Sequence, residues 1–272
     1  MKIDLLIDPF GTSWSEFLEI AETAEALGFD GLWTWDHLAG EVHAADRVLE
    51  CWTALSALAA RTSRVTIGPL VLNVANRRPG VLAVMAATLL EVSDGRLILG
   101  LGAGGGLDTP YHREQIALGS EVPADPRRRQ QVLDTIKICN EVWTGTTAPM
   151  VLAEHRLGAG RGFLSPRPRP PIVVGGFGPR MAQLAGSAAD GFNTQAGHPQ
   201  LGDLIDIARS AHEGRSNDFE ISAFARLEPH WVERTNDHVD RLIMITSPRD
   251  GIEPIASFAA DLGLDRAAST RP

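Results

Sequence analysis

The sequence predicts an α/β fold of the (β/α)8 TIM-barrel class, and three observations favour it. Its 272 residues suit a barrel of about 250 residues built around a single core. Apolar segments that predict buried strands alternate about eight times with segments that predict helices. Residues 65–72 and the segment from Arg96 to the loop at Gly100 predict two buried strands joined by one long apolar helix, which is a parallel βαβ unit. We expect one domain over residues 1–272.

The first half of the chain supplies four predicted strands and three predicted helices. In order they are a strand at 2–8, a helix between 13 and 28, a strand at 31–36, a helix at 50–60, a strand at 65–72, a helix ending at 93–96, and a strand that runs into Gly100. Ser13 is expected to begin the first helix, because Glu16 completes a capping box with it. We expect Trp33 and Trp35 to face opposite sides of the second strand, so that one of them points into the barrel.

The second half continues the alternation with two departures. The predicted elements are a helix at 125–143, a strand at 171–174, a helix at 180–188, a strand at 191–194, a helix at 200–212, strands at 220–226 and 241–245, and a helix at 251–262. A Gly- and Pro-rich insertion at 144–170 precedes strand five, and we expect a hairpin or a lid beside the active-site mouth. Residues 227–240 contain Pro229 and little helical periodicity, so the seventh helix should be short or absent.

Composition narrows the function classes. A formal net charge of −9 disfavours nucleic-acid binding. The apolar runs are too short for a membrane span, and Met1 leads straight into the first strand without a signal sequence, so we expect a cytoplasmic protein. Cys51 and Cys139 lack the spacing of a disulfide framework or a zinc site, and no other motif supplies metal ligands.

Functional groups of a TIM barrel lie at the carboxyl ends of its strands. That rule selects Asp8, Asp36, His37, Asn73, Asn76, residues 102–108, residues 193–195, Arg226 and Glu228. His37 is the best candidate for proton transfer, because an imidazole titrates near neutral pH and the adjacent Asp36 would raise its basicity or fix its tautomer. The alternative is that His37 only hydrogen-bonds a strand-end carbonyl and that Asp36 is a cap or turn residue.

Two glycine-rich loops are candidate ligand sites. The loop from Gly102 to Gly106 has almost no side chains, which lets a ligand lie close to the backbone. Residues 175–180 join a strand to a helix, so their N–H groups and the helix dipole would hold a phosphate, with Arg180 as countercharge. The alternative is a tight turn. The basic run at 127–129 is interpreted as a solvated helix face, and contact with an acidic part of a bound ligand is the alternative.

Several motifs in this order resemble the bacterial luciferase-like monooxygenase superfamily. They are Gly28-Phe29-Asp30-Gly31-Leu32-Trp33, Asp36-His37, Arg77-Arg78-Pro79, Ala87-Thr88-Leu89, Ser93-Asp94-Gly95-Arg96, Leu99-Gly100-Leu101-Gly102-Ala103-Gly104, Pro171-Ile172-Val173-Val174-Gly175-Gly176 and Ala188-Ala189-Asp190-Gly191-Phe192-Asn193. The resemblance spans about residues 1–265.

The resemblance implies a barrel that binds FMN or the deazaflavin F420 at the carboxyl ends of its strands. The cofactor-binding residues it implies are Leu70, Val71, Gly102, Ala103, Gly104 and Gly105 at the ring, and Gly176, Gly178, Pro179 and Arg180 at the phosphate. It implies a non-prolyl cis peptide near Leu70–Val71, and it assigns proton transfer to His37 with Asp36. Where the sugar-phosphate dehydrogenase branch carries a glutamate acid, this chain has Gly105.

The resemblance therefore implies an oxidoreductase of a small organic substrate. Hydride transfer through F420 is favoured over monooxygenation by reduced FMN and O₂. A separate flavin or F420 reductase is an expected partner, and the protein is expected to form a homodimer. One alternative is a flavin carrier on the same barrel without catalysis. A second is an unrelated aldolase or isomerase barrel, which would need a catalytic Lys that neither Lys2 nor Lys137 is placed to provide.

Overall fold

Eight parallel strands surround the core of the molecule, and one of them is broken into two pieces. The computed structural model describes residues 1–264. Its strands are β1 (Lys2–Ile7), β2 (Gly31–Thr34), β3 (Thr66–Pro69), β4 (Leu72–Asn73), β5 (Leu99–Gly102), β6 (Thr146–Thr147), β7 (Met150–Val151), β8 (Arg156–Leu157), β9 (Gly160–Arg161), β10 (Ile172–Gly175), β11 (Gly191–Gln195), β12 (Glu220–Arg226) and β13 (Arg241–Thr246).

The strands close into a ring in the order β3-β2-β1-β13-β12-β11-β10-β5-β4, and every neighbouring pair is parallel. The broken strand closes it: Ile67 of β3 bridges Leu97 just before β5, and β4 pairs with β5 further along. The predicted TIM barrel is therefore confirmed.

The helices lie in the connections between the strands. They are α1 (Trp14–Ala26), α2 (Cys51–Arg61), α3 (Pro79–Val92), α4 (Arg113–Ala117), α5 (Asp125–Val142), α6 (Pro179–Ala188), α7 (Leu201–His212), α8 (His230–Thr235) and α9 (Glu253–Leu262). The capping box of Ser13 and Glu16 at the start of α1 is confirmed. The seventh helix, α8, is short as predicted, with 6 residues. The sequence pattern did not predict α4. Among residues 1–264, no helix is long and apolar enough to cross a bilayer.

Trp33 and Trp35 both pack against one cluster inside the barrel, which contains Leu6, Leu70, Ile98, Val173 and Ile243. The expectation that the two tryptophans face opposite sides is wrong, because residues two apart on a strand share a face. A larger apolar cluster fills the space between the strands and the helices.

The insertion at 144–170 forms a β-hairpin in which β6 pairs with β9 and β7 pairs with β8, both antiparallel. It is fastened to α5 and the residue after it. The Glu154 amide donates to Asp134 Oδ2 at 3.1 Å, and Ser165 Oγ donates to the Trp143 carbonyl at 2.8 Å. The predicted hairpin is confirmed.

A buried ion-pair network lies in the amino-terminal layer of the barrel. Arg241 bonds Asp4 through Nη1, and its Nε donates to Glu220 Oε1 at 2.7 Å. Trp33 Nε1 donates to Asp4 Oδ2 at 2.6 Å. The side chains of Arg241 and Asp4 are both buried, so each charge has its partner inside the protein.

Candidate active site

A cavity of about 930 Å³ opens at the carboxyl ends of the barrel strands. Its wall includes all twelve residues predicted for the site, namely Asp36, His37, Leu70, Val71, Gly102, Ala103, Gly104, Gly105, Gly176, Gly178, Pro179 and Arg180. Asn73 and Asn193 also line it. Of the other strand-end candidates in the described chain, Asp8, Asn76, Thr194, Gln195, Arg226 and Glu228 lie outside the wall.

The imidazole of His37 is held by Glu114, which sequence reasoning missed. His37 Nδ1 lies 3.2 Å from Glu114 Oε1, and Glu114 Oε2 accepts the amides of Leu38 at 2.8 Å and Ala39 at 3.2 Å. Burial alone would raise the pKa of Glu114, but the hydrogen bonds from His37 and the two amides outweigh it, and the pKa is lowered. Glu114 is therefore a carboxylate that fixes the ring through Nδ1 and leaves Nε2 for another partner.

Asp36 has a different partner from the one expected. Its Oδ1 and Oδ2 accept Nη2 and Nη1 of Arg77 at 2.8 and 2.9 Å, and Oδ2 also accepts the Asn73 amide at 2.9 Å. Arg77 in turn bonds Glu50. The expectation that Asp36 fixes the tautomer of His37 is wrong, because adjacent residues at a strand end point apart. These bonds fasten β2 to β4 and favour a positioning role for Asp36.

The cis peptide predicted at Leu70–Val71 is present, between β3 and β4. The Val71 side chain fills space that neighbouring glycines leave open. A Cβ on Gly102 would lie 2.5 Å from Val71 Cγ2, and one on Gly175 would lie 2.9 Å from Val71 Cγ1. These glycines therefore admit the bulged strand, a steric requirement that the sequence did not reveal.

Gly105 is packed against the next turn of its own loop. A Cβ there would lie 2.5 Å from Tyr111 Cβ and 2.8 Å from Thr109 Oγ1. A glutamate at this position would have to displace the segment that carries Tyr111. The glycine is therefore part of the arrangement that brings Tyr111 to the cavity.

The beginning of α6 offers a site for an anion. Gly178 is the N-cap residue with extended backbone, Pro179 follows at the first position, and a Cβ on Gly178 would meet nothing within 4 Å. The first amides of a helix lack intrahelical acceptors and carry the positive end of its dipole. The Gly176 amide is not free for an anion, because it donates to the Asn193 carbonyl at 3.0 Å. The missing Cβ of Gly176 makes room for Met181.

The basic run at 127–129 divides between solvent and cavity. Arg127 is exposed and pairs with Glu154 at 2.6 Å. Arg128 is only 11% exposed, and it donates to the carbonyls of Ala103 and Gly104. Arg129 lines the cavity as well. The interpretation as a solvated face holds for Arg127 but is wrong for Arg128, which holds the glycine loop in place.

Aromatic rings surround His37. The centroids of Phe10, Tyr111 and His43 lie 5.2, 5.5 and 5.6 Å from its own. Phe10 stacks on His43 at 4.1 Å, and Trp35 meets Phe224 edge-on at 5.6 Å. Sequence reasoning missed Tyr111, His43 and Phe224. Only Phe224 of these lies on a barrel strand, so a rule that selects residues at the carboxyl ends of strands could not find Tyr111 or His43.

The insertion does not form a lid in the described chain. Its residues 144–170 are absent from the cavity wall, because the hairpin packs along α5. The segment that covers the His37 side instead contains Tyr111 and Glu114 and follows β5 directly. The same residues 1–264 contain no cluster of three or more His, Cys, Asp or Glu that could hold a metal ion.

Two curated relatives match part of the chain. An F420-dependent glucose-6-phosphate dehydrogenase of Microbacterium testaceum is 35% identical over 189 residues, which is 69% of this chain and 54% of the relative. The enzyme of the same name from Nakamurella multipartita is 33% identical over 184 residues, or 67% of this chain and 52% of the relative. The chain thus spans about half the length of the curated relatives it matches.

Solved structures share the fold at low identity. An F420-dependent secondary alcohol dehydrogenase in complex with an F420-acetone adduct aligns with a TM-score of 0.84 at 19% identity, covering 97% of this chain and 99% of that one. The EDTA monooxygenase of Chelativorans sp. BNC1 aligns with a TM-score of 0.76 at 11% identity, covering 100% and 96%. The family model described as luciferase-like monooxygenase matches residues 6–263, and the chain therefore belongs to the luciferase-like monooxygenase family.

Proposed function

We propose that this chain is an F420-dependent oxidoreductase that interconverts a small alcohol and its carbonyl compound by hydride transfer. The observation that carries the proposal is the position of His37, whose ring is held by a buried carboxylate at the wall of a cavity that also contains a helix N-terminus suited to an anion. The names of the curated relatives support F420 over FMN.

The cavity fits such a cofactor in size and in chemistry. Its volume of about 930 Å³ lies within the range of about 300–1,000 Å³ typical of ligand pockets. The phosphate would be held by Gly178, Arg180 and the first turn of α6, where a Cβ on Gly178 would point into open space. The ring would be held by Leu70, Val71 and residues 102–105. When bound, F420 supplies a two-electron hydride acceptor, so that an alcohol which loses one hydride and one proton becomes a ketone or aldehyde.

His37 would move the proton. Glu114 accepts from Nδ1, so the lone pair of Nε2 is available to take the hydroxyl proton of the alcohol. The imidazolium that results is stabilised by the Glu114 carboxylate, whose pKa is already lowered by this contact. In the reverse direction the same Nε2–H protonates the carbonyl oxygen.

A titration of the purified protein with oxidised F420 and, separately, with FMN tests the cofactor. Fluorescence quenching should show selective binding of F420, and Arg180→Ala should weaken it, whereas Arg209→Ala on the exposed side of α7 should not. Selective binding of FMN would overturn the hydride-transfer proposal. It would indicate instead a monooxygenase that receives reduced FMN from a separate reductase. Tight F420 binding without turnover of any alcohol would support the carrier alternative, and binding of neither cofactor would overturn the cofactor assignment.

We also propose a cytoplasmic homodimer, served by a separate reductase that recycles the cofactor. Three exposed valines lie along one stripe of α3, with Val81 at 55%, Val84 at 41% and Val92 at 54% exposure. Apolar stripes of this kind favour burial against another copy. Sedimentation equilibrium should give a dimer that Val84→Lys converts to a monomer.

Cys51 and Cys139, which are free and buried, fit a reducing compartment.

A further inference from the structure

A second imidazole, that of His43, lies beside His37 in the cavity wall. His43 ends a short 3₁₀ turn (Glu41–His43) between β2 and α2, and its backbone amide donates to the Gly40 carbonyl at 3.0 Å. The centroids of the two imidazoles are 5.6 Å apart, and the rings meet edge to face. The His37 side chain is 19% exposed, whereas His43 is an exposed residue. His43 is therefore the ring of the pair that meets solvent.

The buried ring of Phe10 supports both imidazoles. It stacks on His43 at 4.1 Å, and its centroid lies 5.2 Å from that of His37. The Phe10 amide donates to Asp8 Oδ1 at 3.1 Å, and its carbonyl accepts from Arg249 Nη2 at 2.8 Å. Segments that follow β1, β2 and β13 thus meet at the Phe10 ring.

Backbone contacts fasten the segment that carries His43 to the one that carries Phe10. An antiparallel bridge joins Phe10 to Val48, and the Gly11 amide donates to the Arg47 carbonyl at 2.9 Å. The short distance between the two imidazoles is therefore a property of the backbone, and not only of two side-chain rotamers.

The charges around the pair favour one proton on the two rings over two. Partial burial and the neighbouring His37 lower the pKa of His43, and Asp8 and Glu114 raise it only in part. Two adjacent imidazolium ions repel each other, because a like charge disfavours the charged form of its neighbour. The remaining titratable or charged groups on the segments that surround His43 are Glu41, Asp46, Arg47, Tyr111, Arg113 and Arg249.

The proposed reaction leaves a proton on His37 that must depart before the next turnover. Glu114 Oε1 lies 3.2 Å from His37 Nδ1, so the new proton is held at Nε2. Glu114 is a poor exit, because its side chain is 3% exposed and its pKa is lowered. The Tyr111 ring is equally near, at 5.5 Å, but a phenol is a poor base near neutral pH. The exposed imidazole of His43 is better placed to take the proton.

We propose that His43 is a proton relay between His37 and solvent. One water molecule can connect ring nitrogens at this separation. When an alcohol is oxidised, its O–H bond breaks and an N–H bond forms at His37 Nε2. That N–H bond breaks as another forms on His43, which then gives the proton to solvent. In the reverse direction the proton moves inward. This inference rests on the proposed function and extends its proton path; His43 acts through His37 and does not itself meet the substrate.

Steady-state turnover of the F420-loaded protein, with 2-propanol as the alcohol, tests the relay. His43→Phe keeps a ring on Phe10 but cannot carry a proton. Its kcat should fall roughly tenfold, which is less than the loss expected for a group that meets the substrate, while KM stays the same. Added imidazole should restore kcat in this variant in proportion to its concentration and should not change the native rate.

The control for the relay test is His238→Phe, at an exposed position outside the cavity wall, which should behave as the native protein does. Native kcat in His43→Phe would overturn the relay. A loss of kcat that imidazole does not restore would also overturn it, because loss of packing alone predicts that result.

Titration of the protein without cofactor separates this inference from the proposed function. Nitrogen-15 spectra of the histidine rings, followed over the range in which imidazoles titrate, should show that the pKa of His43 rises in His37→Gln and falls further in Asp8→Asn. Asp203→Asn, on the exposed side of α7, should not change it. An unchanged His43 titration in His37→Gln would refute the pairing. If the titrations respond as expected but 2-propanol is not turned over, the proposed function fails and the proton-sharing pair stands.

Discussion

The two ends of the barrel use the same kinds of side chain for opposite purposes. At the amino-terminal end, Arg241 and Asp4 are 1% and 0% exposed, Trp33 also bonds Asp4, and Glu220 also bonds Arg241. At the carboxyl end, His37 is 19% exposed and bonds Glu114 through one ring nitrogen. The buried pair at the amino-terminal end is enclosed by protein on all sides and can only stabilise the fold, whereas His37 keeps one ring nitrogen at the cavity and can act on a ligand.

Substitution of His37 should have the largest effect. His37→Ala removes the proton acceptor, so turnover per folded molecule should fall about 10²–10⁴-fold, while F420 affinity stays near that of the native protein. His238→Ala, at an exposed position, serves as the control. Equal loss in both variants, or full turnover without His37, would contradict the assigned role.

Substitution of Arg241 at the amino-terminal end of the barrel should lower the stability of the fold without changing turnover. Arg241→Met leaves Asp4 buried without its cation, and the free energy of unfolding in urea should drop by about 3–5 kcal/mol. Turnover per folded molecule should not change. The double variant with Asp4→Leu should recover much of the loss, because it removes the uncompensated charge; a double variant as unstable as the single one would argue against this account.

The glycine loop provides a third, smaller test. Gly105→Ala places a Cβ 2.5 Å from Tyr111 Cβ, and overpacking of this kind costs about 1–3 kcal/mol. We also expect weaker F420 binding, since the loop forms one wall of the cavity. Gly158→Ala is the matched control, because a Cβ there meets nothing within 4 Å. Urea denaturation and the F420 titration measure both effects, and equal behaviour of the two variants would show that Gly105 is not tightly packed.

The smallest effect concerns acid sensitivity. The pKa of Glu114 is lowered on folding, as burial is outweighed by hydrogen bonds from His37, Leu38 and Ala39. Its contribution to stability is therefore complete above its unfolded pKa of about 4.3 and is lost as the pH falls through the lower folded value. Urea unfolding from pH 6 to 3 should give a shallower decline for Glu114→Gln than for the native protein. Glu91→Gln, at an exposed position on α3, is the control and should follow the curve of the native protein. If Glu114→Gln also follows the native curve, the hydrogen bonds of Glu114 contribute nothing to stability.

Much of the fold could be predicted because its signals are local. Strand β12 was expected at 220–226 and occurs at Glu220–Arg226, since alternating and apolar segments determine where strands form. The capping box at Ser13, the short α8 and the insertion hairpin also followed from neighbouring residues. Helix α4 was missed, because five residues give too short a pattern to detect.

The sequence by itself determined the barrel, the family and the end of the barrel at which the cavity opens, since strand ends converge in any parallel barrel. Only the tertiary structure decided which partners these residues have. Asp36 accepts hydrogen bonds from Arg77, and the partner of His37 is Glu114, which lies 77 residues away in the sequence. The missing Cβ of Gly102 proved to make room for Val71, while Gly102 still lines the cavity. The physical reason is that hydrogen bonds and close packing depend on the direction of each side chain, and residues distant in sequence set that direction.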